Sequence, residues 1–156
     1  IIECEEATAM TDCIFCKIIE GQIPSAKVYE DEDVFAFLDI TQVTPGHTLV
    51  IPKTHVANIF EYDEDLAAKV MTKLPKISRA VRRAFPDMLG LNILNNNGQA
   101  AGQTVFHSHI HLIPRYQGDS DGFGWSFADN SKSYTAEEFS ARAAAIDSAL
   151  AQEEEA

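Results

Sequence analysis

Three of the five histidines fall in one run, His107-Ser108-His109-Ile110-His111, at a spacing of two. A strand projects residues i, i+2 and i+4 from one face, so this spacing sets three imidazoles side by side. Imidazole titrates near neutrality, ligates metals and serves as nucleophile, acid or base. Three readings stand together at this point. The imidazoles are inert and hydrogen-bonded against a partner sheet, they hold a catalytic metal with a water nucleophile, or one of them is itself the nucleophile. Residues at this spacing fan along ~13 Å of strand, so one ion reaches two of the three more readily than all of them. A second chemical feature is Cys13-x-x-Cys16, half of a zinc site by spacing and also compatible with redox chemistry.

Elements must position these groups. The flanks of the triad favour a strand over Gln103–Ile113, with Pro114 to end it. Leu91–Leu94 reads as another strand. Ala26–Glu30 and Val34–Leu38 read as a pair around the acidic turn Asp31-Glu32-Asp33. The turn Thr44-Pro45-Gly46 leads into a strand His47–Ile51, stopped by Pro52. Thr11 or Asp12 can cap a short first helix that ends at Gly21. Leu66, Val70, Leu74, Ile77, Val81 and Phe85 form a helical stripe over residues 63–85, which Pro75 should kink or split. Thr135-Ala136-Glu137-Glu138 is a capping-box signature for a last helix over 135–150 bearing Phe139, Ile146 and Leu150. Strands outnumber helices and turns join them, which predicts an α+β fold with an antiparallel sheet and packed helices.

The bulk numbers bound the function. A chain of 156 residues that is 46% hydrophobic suits one globular domain with a real core, expected over 10–150. No apolar run reaches the ~18 residues of a membrane span. A net charge of −12 argues against long nucleic acids, yet backbone amides and local donors can still hold a small phosphate. The cysteines Cys4, Cys13 and Cys16 are too few for a disulfide scaffold, so a reducing, cytoplasmic compartment is expected. Met10-Thr11-Asp12 reads as a start, and residues 1–9, acid-rich and without a basic leader, are expected to be a non-native or disordered extension. Residues 115–133 form a long Gly/Asp/Ser-rich loop holding Trp125, which could cover a ligand or a partner, or pack on its own domain. The acidic tail 151–156 is expected to fray.

The triad segment Gly102-Gln103-Thr104-Val105-Phe106-His107-Ser108-His109-Ile110-His111-Leu112-Ile113 resembles the signature of the histidine triad (HIT) family. Gly46-His47-Thr48-Leu49-Val50-Ile51-Pro52-Lys53-Thr54-His55 is similar to the family's earlier block. So are Cys13-Ile14-Phe15-Cys16-Lys17-Ile18-Ile19 with Ile23-Pro24, Asp39-Ile40, and Asn96-x-Gly98, in order and spacing. The likeness covers residues 12–116 and is nearest to bacterial-type members carrying the CxxC.

The resemblance implies a nucleotide-binding α+β fold, a homodimer whose sheet continues across the interface, and hydrolysis or nucleotidyl transfer at an α-phosphorus. It implies that His109 is the nucleophile, that His111 contacts the phosphate, and that His47 completes the imidazole network. Asn96, Gly98, Gly102, Gln103 and Thr104 would serve the phosphate. Asp39 beside Ile40 would take the ribose, and Ile14, Phe15, Ile18 and Phe37 would form a purine slot, although apolar residues at helical spacing also serve as plain core. Cys13, Cys16, His55 and His107 would bind one structural zinc per chain. The substrate is then a purine mononucleotide or dinucleotide, with no nucleic-acid polymer and no membrane as partner. Gln103-Thr104-Val105 and Pro114-Arg115 resemble the dinucleoside-polyphosphate-cleaving branch, with Arg115 a candidate for a longer phosphate chain. The Cys13/Cys16 block and Asp39-Ile40 resemble the adenosine 5'-phosphoramidate branch. A low-turnover nucleotide sensor would carry the same residues.

Overall fold

Alternate residues of two buried, mostly apolar strands divide between two cores, and this division creates the fold. The computed structural model describes residues 12–119 and 127–155. Expectations for residues 1–9 and for Trp125 lie outside them. The chain forms two units, one ending at Phe123 and one beginning at Gly124.

In the first unit the order is α1 (Ile14–Ile19), β1 (Lys27–Glu30), β2 (Val34–Leu38), β3 (Thr48–Pro52), α2 (Glu64–Met71), α3 (Leu74–Ala84), β4 (Gly90–Leu94) and β5 (Ile110–Arg115). The strands form one antiparallel sheet in the order β1-β2-β3-β5-β4. The period of two places Val34, Ala36 and Val50 on one face, with Ile110 and Leu112 beside them. There they meet Val70 of α2 and Ile77 and Val81 of α3. Phe35, Phe37, Leu49 and Ile51 face the other way and meet Phe15 and Ile18 of α1. Burying each Val, Leu, Ile or Phe of these sets stabilises the fold by ~1.5–3 kcal/mol. The sheet therefore lies between α2 and α3 on one side and the short α1 on the other.

Pro75 splits the predicted 63–85 helix as expected. α2 stops at Met71 and α3 begins at Leu74, with the proline in its first turn, where a missing N–H costs nothing. Gly46 is obligatory in its turn: its φ is +90°, and a Cβ there would meet the Phe85 ring at 2.7 Å.

Four local expectations need correction. The histidine strand begins at Ile110, not Gln103, because the groups before it bond the loop after β3 instead of a ladder. Ser108 N–H donates to Val56 O at 2.7 Å, and Gln103 Nε2 donates to Ala57 O at 2.6 Å. β5 also runs through Pro114 to Arg115, since β3 pairs only with Ile110–Leu112 and leaves the proline no ladder bond to break on that side. Likewise Pro52 is the last residue of β3, opposite Val34. Finally, Cys13 and not Asp12 caps α1, its sulfur accepting the Cys16 N–H at 3.4 Å, while Thr11 lies outside the described residues.

In the second unit, α4 (Ala136–Glu155) begins at the predicted capping box: Glu138 N–H donates to Thr135 Oγ1, and Thr135 N–H to Glu138. It continues past the expected end at residue 150. Phe139, Ile146 and Leu150 are exposed.

Candidate functional site

The site forms where the segment entering β5 passes the start of β3. His111 stands on β5 opposite Leu49, and His47 immediately precedes β3. His107 and His109 lie in the extended approach to β5, outside the strand.

Hydrogen bonds fix the tautomers. His109 Nδ1 is 2.8 Å from the carbonyl of His107. A carbonyl only accepts, so Nδ1 carries the proton and Nε2 keeps its lone pair. The Val43 N–H donates to His47 Nδ1 at 3.3 Å, which puts the His47 proton on Nε2. That nitrogen donates to His111 Nδ1 at 2.9 Å, leaving His111 Nε2 as an N–H donor. The ring centroids of His109 and His111 are 5.1 Å apart. A ring with a lone-pair nitrogen and a ring with an N–H donor are therefore neighbours, a pairing suited to attack on an anionic centre.

Burial keeps this set neutral. It lowers the pKa of His47, against the pull of Asp39, and that of His109, against its bond to the His107 carbonyl. It drives His111 down to about 4, helped by repulsion from His109 and His47. Asp39 lies 3.7 Å from His47 Nε2 and 4.0 Å from His111 Nδ1. Burial works against its carboxylate, but the Thr41 hydroxyl and amide, at 2.7 and 2.8 Å, and the two histidines outweigh it, and the pKa falls.

Two groups among the described residues bring enough donor atoms together for a metal: Cys13, Cys16, His55 and His107, and separately Asp39, His47 and His111. No group unites the three triad histidines, so the spacing-two metal site is not formed. In the first group Cys13 Sγ and Cys16 Sγ lie 3.4 and 3.5 Å from His107 Nδ1, and Cys16 Sγ lies 3.4 Å from His55 Nδ1. Tetrahedral zinc bonds of ordinary length put sulfur and nitrogen about 3.6 Å apart. His107 Nε2 donates to Pro52 O at 2.8 Å, which turns its Nδ1 lone pair toward the sulfurs. Burial, then the Cys13 sulfur, pushes the Cys16 thiol up to about 12, an unfavourable arrangement that a dication would reverse. The second group fits a metal poorly: Val43 donates to His47 Nδ1, so the Nε2 that would have to ligate already holds the proton.

The other sequence-derived site residues separate into two kinds. Phe15, Ile18 and Phe37 are buried together, and the Phe15 ring meets His109 at 5.2 Å and His107 at 5.9 Å, edge-on. Ile14 is exposed, and Ile40 is 98% exposed. Ile18, Phe37, Asp39 and Ile40 nevertheless line one cavity of about 250 Å³ with Pro24, Ser25, Ala26, Leu38 and Gln42. Gln103 is buried, and its amide is committed: Nε2 donates to Ala57 O and Val105 O, and Oε1 accepts from Gly98 N–H. It braces the loop, while Thr104 is exposed. Gly98 and Gly102 have φ of +93° and +89°, and Asn96 lies against Gly102. Arg115 is occupied by Asp119, at 2.9 and 3.0 Å, and by Asn92 at 3.0 Å.

Sequence reasoning missed three amide side chains. Asn95 Nδ2 donates to the carbonyl of His109 at 2.9 Å, and Asn97 Nδ2 donates to Asn95 Oδ1 at 2.7 Å. The run Asn95-Asn96-Asn97 was a visible signal, but nothing in it says which member reaches the His109 backbone. Gln42, the one non-glycine with positive φ among the described residues, clasps the loop between Asp39 and His47. Its Nε2 donates to Asp39 O at 2.6 Å and His47 O at 2.7 Å, and its Oε1 accepts from Gly46 N–H at 2.9 Å.

The family model of the HIT domain matches residues 20–118. The chain belongs to the HIT family. "Protein hit" of Bacillus subtilis is 59% identical over 127 residues, covering 81% of this chain and 86% of that one. A crystal structure of a HIT family member from the same organism superposes with a TM-score of 0.84 at 55% identity, covering 88% and 96% of the two chains. A zinc-bound histidine triad family protein from Mycobacterium smegmatis gives 0.68 at 38% identity, covering 90% and 99%. Relatives named as enzymes include the adenosine 5'-monophosphoramidase of Candida albicans, 40% identical over 72% of this chain and 77% of its own, and the adenylylsulfatase of Arabidopsis thaliana, 44% identical over 74% and 58%. Among the described residues no helix is long and apolar enough to cross a membrane.

Proposed function

We propose that this HIT protein hydrolyses purine nucleotides at the α-phosphorus through a nucleotidyl-histidine on His109, with adenosine 5'-phosphoramidate-like compounds as the preferred class. The observation that carries the reading is the His109 hydrogen bond: Nδ1–H is held by the His107 carbonyl, which leaves the lone pair on Nε2, and the His111 ring lies 5.1 Å away. Nε2 forms a bond to phosphorus as the P–N bond to the leaving amine breaks, and the amine departs with that electron pair and a proton from solvent. The His107 carbonyl stabilises the charged ring, while His111 Nε2–H and Thr104 serve the phosphoryl oxygens. Water then cleaves the Nε2–P bond, releasing AMP and restoring His109. The cavity bounded by Ile18, Phe37, Asp39 and Ile40 takes the nucleoside; Phe15 packs edge-on against Phe37 at 5.5 Å, and Ile14 is assigned to the same end of the ligand. Gly98 and Gly102 let the backbone approach the phosphate, and Asn96 offers it a side-chain amide.

Arg115 favours the phosphoramidate branch over dinucleoside polyphosphates, because Asp119 and Asn92 engage its guanidinium. The name of the Candida relative points the same way. Cys13, Cys16, His55 and His107 are assigned one structural zinc, which fastens α1 to the approach to β5. A homodimer is proposed on the single-neighbour edge strand β4, where Leu89 and Ile93 are exposed.

The test is product analysis with adenosine 5'-phosphoramidate and with diadenosine tetraphosphate, using His109→Ala as control. AMP from the phosphoramidate, dependent on His109, is expected. Preferential cleavage of the dinucleotide would move the substrate assignment, and AMP binding without turnover of either would make the protein a sensor.

A further inference from the structure

The proposed nucleoside cavity has a neighbour. A second cavity of about 370 Å³ is lined by Ile19, Glu20, Ile23, Lys27, Glu30 and Phe35, and it shares Ile18, Pro24 and Ser25 with the first. Their floors are adjacent rings: Phe35 and Phe37 point the same way from β2, and their centroids are 5.9 Å apart. One short aliphatic chain spans that separation. The wall is apolar at Ile19, Ile23 and Phe35. Its charges are unequal in availability. Glu30 is paired with Lys27 at 3.0 Å and Lys53 at 2.7 Å, whereas Glu20 meets only the Gln22 amide, at 2.6 Å, and has no cationic partner among the described residues.

We infer that this second cavity is a subsite for a substituent on the six-membered ring of the purine, and that it favours an aliphatic chain ending in an amine. Its methylenes would lie over Phe35, and its ammonium would meet Glu20. The substrate class thereby extends from simple purine nucleotides to base-alkylated ones. The inference rests on the nucleotide reading above, and the experiment separates the two.

Binding to the His109→Ala protein is measured for AMP, N6-butyl-AMP and N6-(4-aminobutyl)-AMP, and turnover of the corresponding phosphoramidates is measured on the active protein. The butyl compound is expected to bind within about threefold of AMP. The aminobutyl compound is expected to bind roughly two- to fivefold more tightly than the butyl one, the range of a solvent-exposed ion pair. Glu20→Gln should erase that advantage and leave AMP unchanged. A tenfold or larger loss for both substituted nucleotides would overturn the subsite while leaving the nucleotide reading intact. An amine advantage indifferent to Glu20→Gln would overturn the assignment of Glu20. Failure of AMP itself to bind would overturn the nucleotide reading and the subsite together.

Discussion

Removing the Gln42 side chain should damage both the stability of the 39–47 loop and the catalytic geometry. Gln42 makes three short hydrogen bonds, two donated to the carbonyls of Asp39 and His47 and one accepted from Gly46. At ~1 kcal/mol each, reduced because the side chain is only part-buried, their loss destabilises by ~2 kcal/mol. The backbone adds a second, separable quantity. The φ of Gln42 is +40°, a region where a side chain is strained and glycine is not. Gln42→Ala therefore keeps the strain and loses the bonds, whereas Gln42→Gly loses the bonds and regains ~1 kcal/mol. The Asp39 and His47 carbonyls are the anchors of the two groups that face His111, so both variants should also lose kcat by about tenfold or more, with KM changing less. Urea denaturation of zinc-loaded protein measures the first effect, and phosphoramidate turnover the second. An alanine variant as stable as the glycine variant would refute the strain argument. Unchanged kcat in both would refute the view that the clasp holds the imidazole chain in register.

Other consequences are equally direct. His109→Ala should abolish turnover and leave AMP affinity within about threefold, because the substitution removes the proposed nucleophile and little of the cavity; calorimetry and product analysis check this. Cys13→Ser should lower stability by about 3–4 kcal/mol where free zinc exceeds its Kd a thousandfold, and a chelator should do the same to the unaltered protein; equal melting temperatures with and without chelator would contradict the structural zinc. Acid should act early. His47, His109 and His111 have folded-state pKa values below the ordinary 6.5, so below pH 6.5 the unfolded chain takes up protons that the folded chain refuses. Each such histidine removes about 1.4 kcal/mol of stability per pH unit, until its own folded value is reached, about 4 for His111. Denaturation midpoints between pH 7 and 5 measure this, and His111→Asn should flatten the slope.

Much of this molecule was readable from residue order. The H-x-H-x-H run and the CxxC pair mark the residues able to do chemistry and the family they belong to, because reactive side chains are rare and their spacing is local information. The α2–α3 stripe with its splitting proline and two strands, Val34–Leu38 and, to within a residue at each end, His47–Ile51, were also readable, since side-chain periodicity reflects which face is buried. Tertiary structure decided the division of labour. The alternation at 107, 109 and 111 predicted one shared strand face. Instead, the carbonyl of Pro52 turns His107 toward Cys13 and Cys16, and the carbonyl of His107 fixes His109. Those acceptors lie on backbone whose position follows from the packing of β3 against β5, and no local pattern encodes it. The same is true of Gln103, whose buried amide is spent on Ala57 and Val105, and of Arg115, which Asp119 and Asn92 hold. Residue type says what a side chain can donate or accept, and only the folded chain determines which partner it meets.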